Sequence, residues 1–181
     1  MSLINIEQLI EQCKLNNQLA QLNIYKLYSK GMYNVSFRIV NDSAVAEDIV
    51  QESFITAFDD LSKLEKASAF GSWLKKMVTY KSINHLRKEK KMQLSSLETL
   101  EYKIIDEKEE DCFFSGATIQ IVYQAIKELK QNYRLLLTLH YIEGFDYEEI
   151  VEITGLSHAN CRTTISRAKE SLRKKLNIYA K

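Results

Sequence analysis

Residues Phe70 to Lys91 read FGSWLKKMVTYKSINHLRKEKK, and the rest of the chain is organised around them. At helical spacing Phe70, Trp73, Leu74, Met77 and Val78 form an apolar stripe, which Leu86 extends two turns later. The remaining positions carry Lys76, Tyr80, Asn84, Arg87, Lys88 and Lys91. That face combines charge for phosphates, a ring for stacking and an amide for base edges. A solvated amphipathic helix would show the same pattern, so the reading depends on what flanks it.

Immediately upstream, Ser62 to Ala69 is a short polar connector, and before it Ala44 to Leu61 is the clearest helix in the chain. Ala46, Ile49, Val50, Ser53, Phe54, Ala57, Phe58 and Leu61 give it an unbroken inward stripe. Asp48, Gln51, Glu52, Ile55 and Asp59 lie outside. An apolar Ile55 among carboxylates points to a protein contact rather than to solvent alone. Asn41-Asp42-Ser43 supplies the turn and N-cap signal. Ahead of it a long helix is predicted from about Gln18 to Val40. Leu19, Leu22, Ile24, Tyr25, Leu27 and Tyr28 lead its apolar side, followed by Val35, Phe37 and Ile39, with Gly31 as a candidate bend. Ile4 to Leu15 reads as a first helix, ended by Asn16-Asn17.

Downstream, periodicity fades from Met92 to about Ser115, as expected of a linker. Three further helical signals follow. Ile119, Val122, Tyr123, Ile126 and Leu129 stripe one helix; Leu135, Leu136, Leu139 and Ile142 stripe another, ending at Gly144. Then comes DYEEIVEITGLSHANCRTTISRAKESLRKKL, where Asp146 and Glu149 have capping-box spacing. Ile150, Val151 and Ile153 face inward, Gly155-Leu156-Ser157 turns, and a basic helix starts near Ser157. This is a helix-turn-helix pattern. On its second helix Cys161, Ile165, Ala168 and Leu172 recur at inward spacing, leaving Arg162, Thr163, Ser166, Arg167 and Lys169 outside and Thr164 near the boundary. Those side chains suit a major groove and its phosphates.

The net charge of +1 conceals a sorting of charge along the chain. Asp42 to Asp60 holds six acidic residues and no basic one, whereas Ser62 to Lys91 holds nine basic and two acidic. Met92 to Ser115 has seven acidic against two basic, and Leu156 to Lys181 has seven basic against one acidic. Alternation of this kind predicts two nucleic-acid faces and two surfaces for something else. With no Pro and only five Gly in 181 residues, an all-α chain is expected. Cys13, Cys112 and Cys161 lack paired spacing, so buried thiols are expected rather than zinc or disulfides. No nucleophile, metal or phosphate-loop motif is present, so no enzyme chemistry, metal or cofactor is predicted. The absence of a long apolar run or signal-peptide order predicts a cytoplasmic protein without membrane insertion.

Taken together, AEDIVQESFITAF, FGSWLKKMVTYKSINHLRKEKK and YEEIVEITGLSHANCRTTISRAKESLRKKL resemble the two blocks of bacterial sigma factors of the sigma-70 family. The similarity is to the short extracytoplasmic-function (ECF) type and covers nearly the whole chain. It implies a sigma region 2-like helical bundle (1–91), an acidic linker (92–116) and a sigma region 4-like helix-turn-helix domain (117–181). It implies a non-catalytic initiation subunit that binds core RNA polymerase, directs it to promoters and assists DNA opening. Asp48, Gln51, Glu52 and Ile55 match the face that docks on the clamp helices of the largest polymerase subunit. The polymerase flap is a further contact that the resemblance implies. Ser62 to Ala69 matches the loop that captures a flipped −10 base. Trp73, Lys76, Tyr80, Asn84, Arg87, Lys88 and Lys91 fall on the −10 binding and melting helix, and Lys75 and Lys90 add candidates for holding the strand. Arg162, Thr163, Thr164, Ser166 and Arg167 fall on the −35 helix. The linker matches the family segment that threads the polymerase cleft, and an ordinary tether would share its composition.

The chain departs from the family where DNA is read. Thr163 and Thr164 stand where Arg or Lys is frequent, Tyr80 where Asn is common, and Asn84 where Asp is common. A thinner base-reading set implies relaxed promoter preference or recruitment by another protein. An anti-sigma factor is a further partner implied. Two other readings remain at this stage: a stand-alone helix-turn-helix regulator, and an interaction protein that sequesters partners without opening DNA.

Overall fold

A computed structural model describes residues 5–95 and 117–179, with side chains over 5–89 and 120–176. The described residues form helices and turns and no strand. The chain divides into two compact units, Met1–Lys90 and Lys91–Lys181.

In the first unit short polar side chains punctuate the helices. Asn5 caps α1 (Ile6–Lys14), its Oδ1 accepting from the amides of Glu7 and Gln8. Asn16 then takes positive φ, and Asn17 caps α2 (Gln18–Val40) through the amides of Leu19 and Ala20. Asn41 ends α2 at φ 58°, and Asp42 caps α3 (Ser43–Asp59) by accepting from Val45 N at 2.9 Å. Asn tolerates this left-handed geometry because its short amide bonds locally, which is why the breaks fall where they do. Two 3₁₀ turns, Leu61–Lys63 and Ala67–Ala69, lead into α4 (Phe70–Ser95). Leu61 thus lies just beyond α3 rather than within it, although it is buried as its place in the stripe requires.

Helix α1 packs on α2 and on both 3₁₀ turns, and α2 packs on α3. Phe70, Leu74 and Val78 of α4 are fully buried in a core shared with Ile10, Ile24, Phe54 and Leu61. The start of α4 is held by Tyr28, whose ring meets Phe70 edge-on at 5.4 Å. That ring also lies on Gly71, where an added Cβ would come within 2.9 Å of it. Burial raises the pKa of the Tyr28 hydroxyl.

The predicted apolar face of α2 needs correcting. Ile24, Val35 and Ile39 are buried as predicted, but Leu19, Leu22 and Leu27 are exposed and Ala20, Met32 and Ser36 are buried in their stead. Two stripes compete on this helix, and the one containing the small Ala20 and Ser36 lets neighbouring backbones approach. Hydropathy favours the leucines; close packing selects the other face. Gly31 produces no break in α2.

A polar seam crosses this core. Ser36 and Ser82 share a buried hydrogen bond of 2.9 Å between α2 and α4, and Ser82 also donates to the carbonyl of Val78. Ser53 donates to Ile49 O at 2.6 Å. Thr79, fully buried nearby on α4, has no hydrogen-bond partner for its Oγ1 among the described residues. Thr79→Val should therefore raise stability by about 1 kcal/mol in urea unfolding, since the near-isosteric methyl removes an unsatisfied hydroxyl.

The second unit contains α5 (Ala117–Lys127), α6 (Gln131–Leu137), a π-helical turn (Thr138–Ile142), α7 (Tyr147–Thr154) and α8 (His158–Tyr179). Helix α8 packs against α5, α6 and α7. The π turn, closed by Glu143 N donating to Thr138 O at 2.9 Å, rotates the buried face. Leu136, Leu137, Thr138 and Leu139, which run from the end of α6 into this turn, are buried in succession. Leu135 and Ile142, both predicted to face inward, are only half-buried. Ala125, Ile126 and Leu129 form the buried side of the α5 region, with Val122 and Tyr123 half-buried; the side chain of Ile119 lies outside the described residues. Cys13 and Cys161 are buried free thiols, and burial raises both pKa values; Cys112 lies outside the described residues.

Three candidate interaction surfaces

The first surface is the outer face of α3. Asp48, Gln51 and Glu52 are exposed, and Ile55 is 64% exposed between them and Asp59. Helical spacing places these side chains on one ridge, opposite the stripe that fills the core. The ridge is stiffened from α4. Lys81 Nζ donates to Thr56 Oγ1 at 2.9 Å and to the Glu52 carbonyl at 3.1 Å, and lies 3.9 Å from the Glu52 carboxylate. Lys81 thus serves α3, a role invisible in sequence because its partners lie 25 and 29 residues away.

The second surface runs along α4. Trp73, Lys76, Tyr80, Asn84 and Arg87 follow one another at three- or four-residue steps, and Lys88 flanks them. Trp73 is half-buried, with its ring 6.1 Å from that of Phe70. Tyr80 is 51% exposed, Lys76 and Asn84 are half-buried, and Arg87 and Lys88 are exposed. Arg87 Nη1 donates to Asn84 Oδ1 at 3.0 Å, which leaves the Asn84 amide NH₂ to donate outward. The side chains of Lys90 and Lys91 lie outside the described residues. The 3₁₀ turns of the Ser62–Ala69 segment immediately precede this face.

The third surface is α8 with the turn before it. The capping box opens α7, with Asp146 Oδ1 accepting from Glu149 N at 2.7 Å and Glu149 Oε2 accepting from Asp146 N at 3.1 Å. Gly155 ends α7 at φ 66°, a conformation a glycine adopts without strain. Ser157 Oγ then accepts from Asn160 N at 3.2 Å. Cys161, Ile165 and Ala168 are buried, while Arg162, Thr163, Ser166 and Arg167 are exposed and Thr164 is half-buried. Thr163 donates its hydroxyl to Ala159 O at 2.8 Å, and Thr164 donates to Asn160 Oδ1 at 3.1 Å. Both threonine oxygens are thereby turned into acceptors, suited to the amino groups of cytosine or adenine. Arg162 and Arg167 are the exposed side chains in this set able to fork onto guanine.

Sequence reasoning missed an aromatic group beside α8. His140 and Tyr141 of the π turn and Tyr147 of α7 cluster there, with Arg162 and Lys169 over two of the rings. Two tyrosines flanking Gly144 were the available signal, but their cationic partners stand 15 and 28 residues further on. Among the described residues no three His, Cys, Asp or Glu side chains could hold a metal, and no helix is long and apolar enough to cross a membrane.

Comparison with known proteins follows the same division. Residues 24–92 match the family description "Sigma-70 region 2" and residues 119–172 match "Sigma-70, region 4". The chain is 29% identical over 180 residues to the ECF RNA polymerase sigma factor SigW of Bacillus subtilis, covering 94% of this chain and 96% of that protein. It is 31% identical over 138 residues to the ECF RNA polymerase sigma-E factor of Salmonella typhimurium, covering 71% and 72%. Among solved structures, the sigma factor RpoE in complex with the anti-sigma factor NepR, from Bartonella quintana, superposes with TM-score 0.63 at 20% identity, covering 86% of this chain and 96% of that one. CnrH in complex with the cytosolic domain of CnrY gives TM-score 0.56 at 18% identity, with coverages of 96% and 99%. At those identities the two structures speak for the fold.

Proposed function

This chain belongs to the sigma-70 family, in its ECF group, and we propose that three separate surfaces divide the work of directing RNA polymerase to promoters. The observation that carries the reading is the ordered succession of an acidic ridge with an apolar centre, a basic aromatic helix and a basic helix-turn-helix in one chain. The family is one of non-catalytic initiation subunits. A stand-alone regulator is not favoured, since it needs no α3 ridge.

The division of labour is as follows. Asp48, Gln51, Glu52 and Ile55 dock on the clamp helices of the polymerase's largest subunit, where carboxylates supply orientation and Ile55 supplies desolvated contact. Trp73, Lys76, Tyr80, Asn84, Arg87, Lys88 and Lys91 engage the −10 element. Opening requires no covalent step: extruding a base costs a few kcal/mol, which stacking at about 1–3 kcal/mol per base offsets while lysines hold the strand. Arg162, Thr163, Thr164, Ser166 and Arg167 engage the −35 element. The domains run 1–91 and 117–181, with 92–116 as linker. Proteins of the anti-sigma kind, such as the one bound to the fold relative RpoE, are the natural class of regulator, and the site of action is the cytoplasm, with the polymerase.

Permanganate footprinting tests this reading. With core enzyme and a promoter selected from random DNA, −10 thymines should become reactive only when the chain is added. Tyr80→Ala should cut that reactivity several-fold while closed-complex binding stays near wild type. A chain that binds polymerase yet leaves every thymine protected would instead be a sequestering protein.

A further inference from the structure

The aromatic group beside α8 separates the cations of that helix into two classes. His140 Nδ1 lies 2.9 Å from the Phe145 carbonyl, which can only accept, so Nδ1 carries the proton and fixes the ring. The imidazole is thereby wedged against Tyr141 at 4.7 Å and Tyr147 at 4.8 Å. Arg162 Cζ lies 5.7 Å from the Tyr147 ring centroid, and Lys169 Nζ lies 5.7 Å from that of Tyr141. Both distances fall within cation–π range. The π turn creates the arrangement, since its extra residue per turn sets His140 and Tyr141 beside α8 instead of continuing the α6 stripe.

Arg162 and Lys169 are seven residues apart, hence on one flank of α8, the flank beside α7 and the π turn. Thr163, Ser166 and Arg167 lie further round, on the side facing away from buried Cys161, Ile165 and Ala168. A helix seated in a major groove turns its outermost residues to the bases and its flanks to the strands. A guanidinium held over a ring can still present N–H edges to a phosphate, and Arg162 would have to leave Tyr147 to reach the groove floor.

We propose that Tyr147 and Tyr141 are positioning residues that hold Arg162 and Lys169 as phosphate clamps, leaving sequence reading to Arg167 with Thr163 and Ser166. This rests on the assignment of α8 to promoter DNA, and it moves Arg162 out of the base-reading set while adding Lys169, Tyr141 and Tyr147.

The test uses holoenzyme reconstituted from core polymerase and the full chain. The probes are a promoter duplex that the wild-type holoenzyme selects from random DNA, and the same duplex scrambled over its −35 segment. Wild type must prefer the selected duplex; equal binding to both defeats the assignment of α8 itself and is thus distinguishable. Given that preference, Tyr147→Leu should weaken binding to both duplexes alike, by about 3- to 10-fold, the order of one cation–π-held contact. It should also lower the slope of log affinity against log salt by about 0.9, the loss of one phosphate contact. Tyr147→Phe keeps the ring and should match wild type. Adding Tyr147→Leu to Arg162→Ala should cost almost nothing more, and Tyr141→Leu should relate to Lys169→Ala in the same way. Multiplicative losses in the double variants, as a merely loosened fold would give, overturn the proposal. So does a Tyr147→Leu protein that binds like wild type, or one whose loss falls on the selected duplex alone.

Discussion

Replacing Asp48 and Glu52 together with lysine is expected to weaken binding to core RNA polymerase by about 30- to 1,000-fold, the equivalent of about 2–4 kcal/mol for reversed charges at an interface. Both side chains are exposed on α3, so the core should not register the change. Glu52→Lys does set a second cation near Lys81 Nζ, which lies 3.9 Å from the native carboxylate. Glu52→Gln combined with Asp48→Lys is therefore the cleaner variant, and it should retain most of the effect. Ile55→Glu should act in the same direction, since its 64% exposed side chain is the apolar centre of the ridge. Binding of duplex DNA through α8 should not change. Loss of polymerase and duplex binding together would show that the docking surface lies elsewhere.

The second large effect concerns stability. Phe70→Ala should destabilise the first unit by about 3–5 kcal/mol in denaturant unfolding, the usual cost of emptying an aromatic site in a packed core. Phe70 is fully buried and touches both Tyr28 and Trp73. A domain whose total stability is about 5–15 kcal/mol loses much of its margin to such a change. The damage should also reach function. Phe70 opens α4, so the variant displaces Trp73, the first residue of the proposed −10 face, although none of the proposed DNA-contacting residues is altered. Phe70→Leu, which refills much of the volume, should restore most of the stability. A Phe70→Ala protein that unfolds like wild type would mean that α4 is not anchored at its start.

What was legible in the sequence was local. Asp42 and the Asp146/Glu149 pair announce helix starts because the capping bond joins residues three apart, and Asn16-Asn17 marks the break before α2. The α3 stripe and the helix-turn-helix were likewise readable from spacing, and the two-block resemblance needed no coordinates. What could not be read depends on distant partners. Leu19 and Leu22 outrank Ala20 and Ser36 in hydropathy, yet the smaller pair faces the core, because what α2 packs against is not written in α2. Leu137 at the end of α6 is buried and Leu135 only half-buried, and no Pro or Gly signals the π turn at Thr138–Ile142 that follows. Lys81 stands alone between Tyr80 and Ser82, and nothing in its own helix signals that it bonds Thr56 and the Glu52 carbonyl. The Tyr147–Arg162 and Tyr141–Lys169 pairs were hidden for the same reason. The linker reading falls almost wholly on residues outside those described.

Titration of purified full-length chain into core RNA polymerase, followed by light scattering or native mass spectrometry, reaches the centre of this account. A one-to-one complex that forms with wild type and is lost with Asp48→Lys/Glu52→Gln is the predicted result. A wild-type chain that stays separate from core enzyme at every concentration tried, while remaining folded, would contradict it.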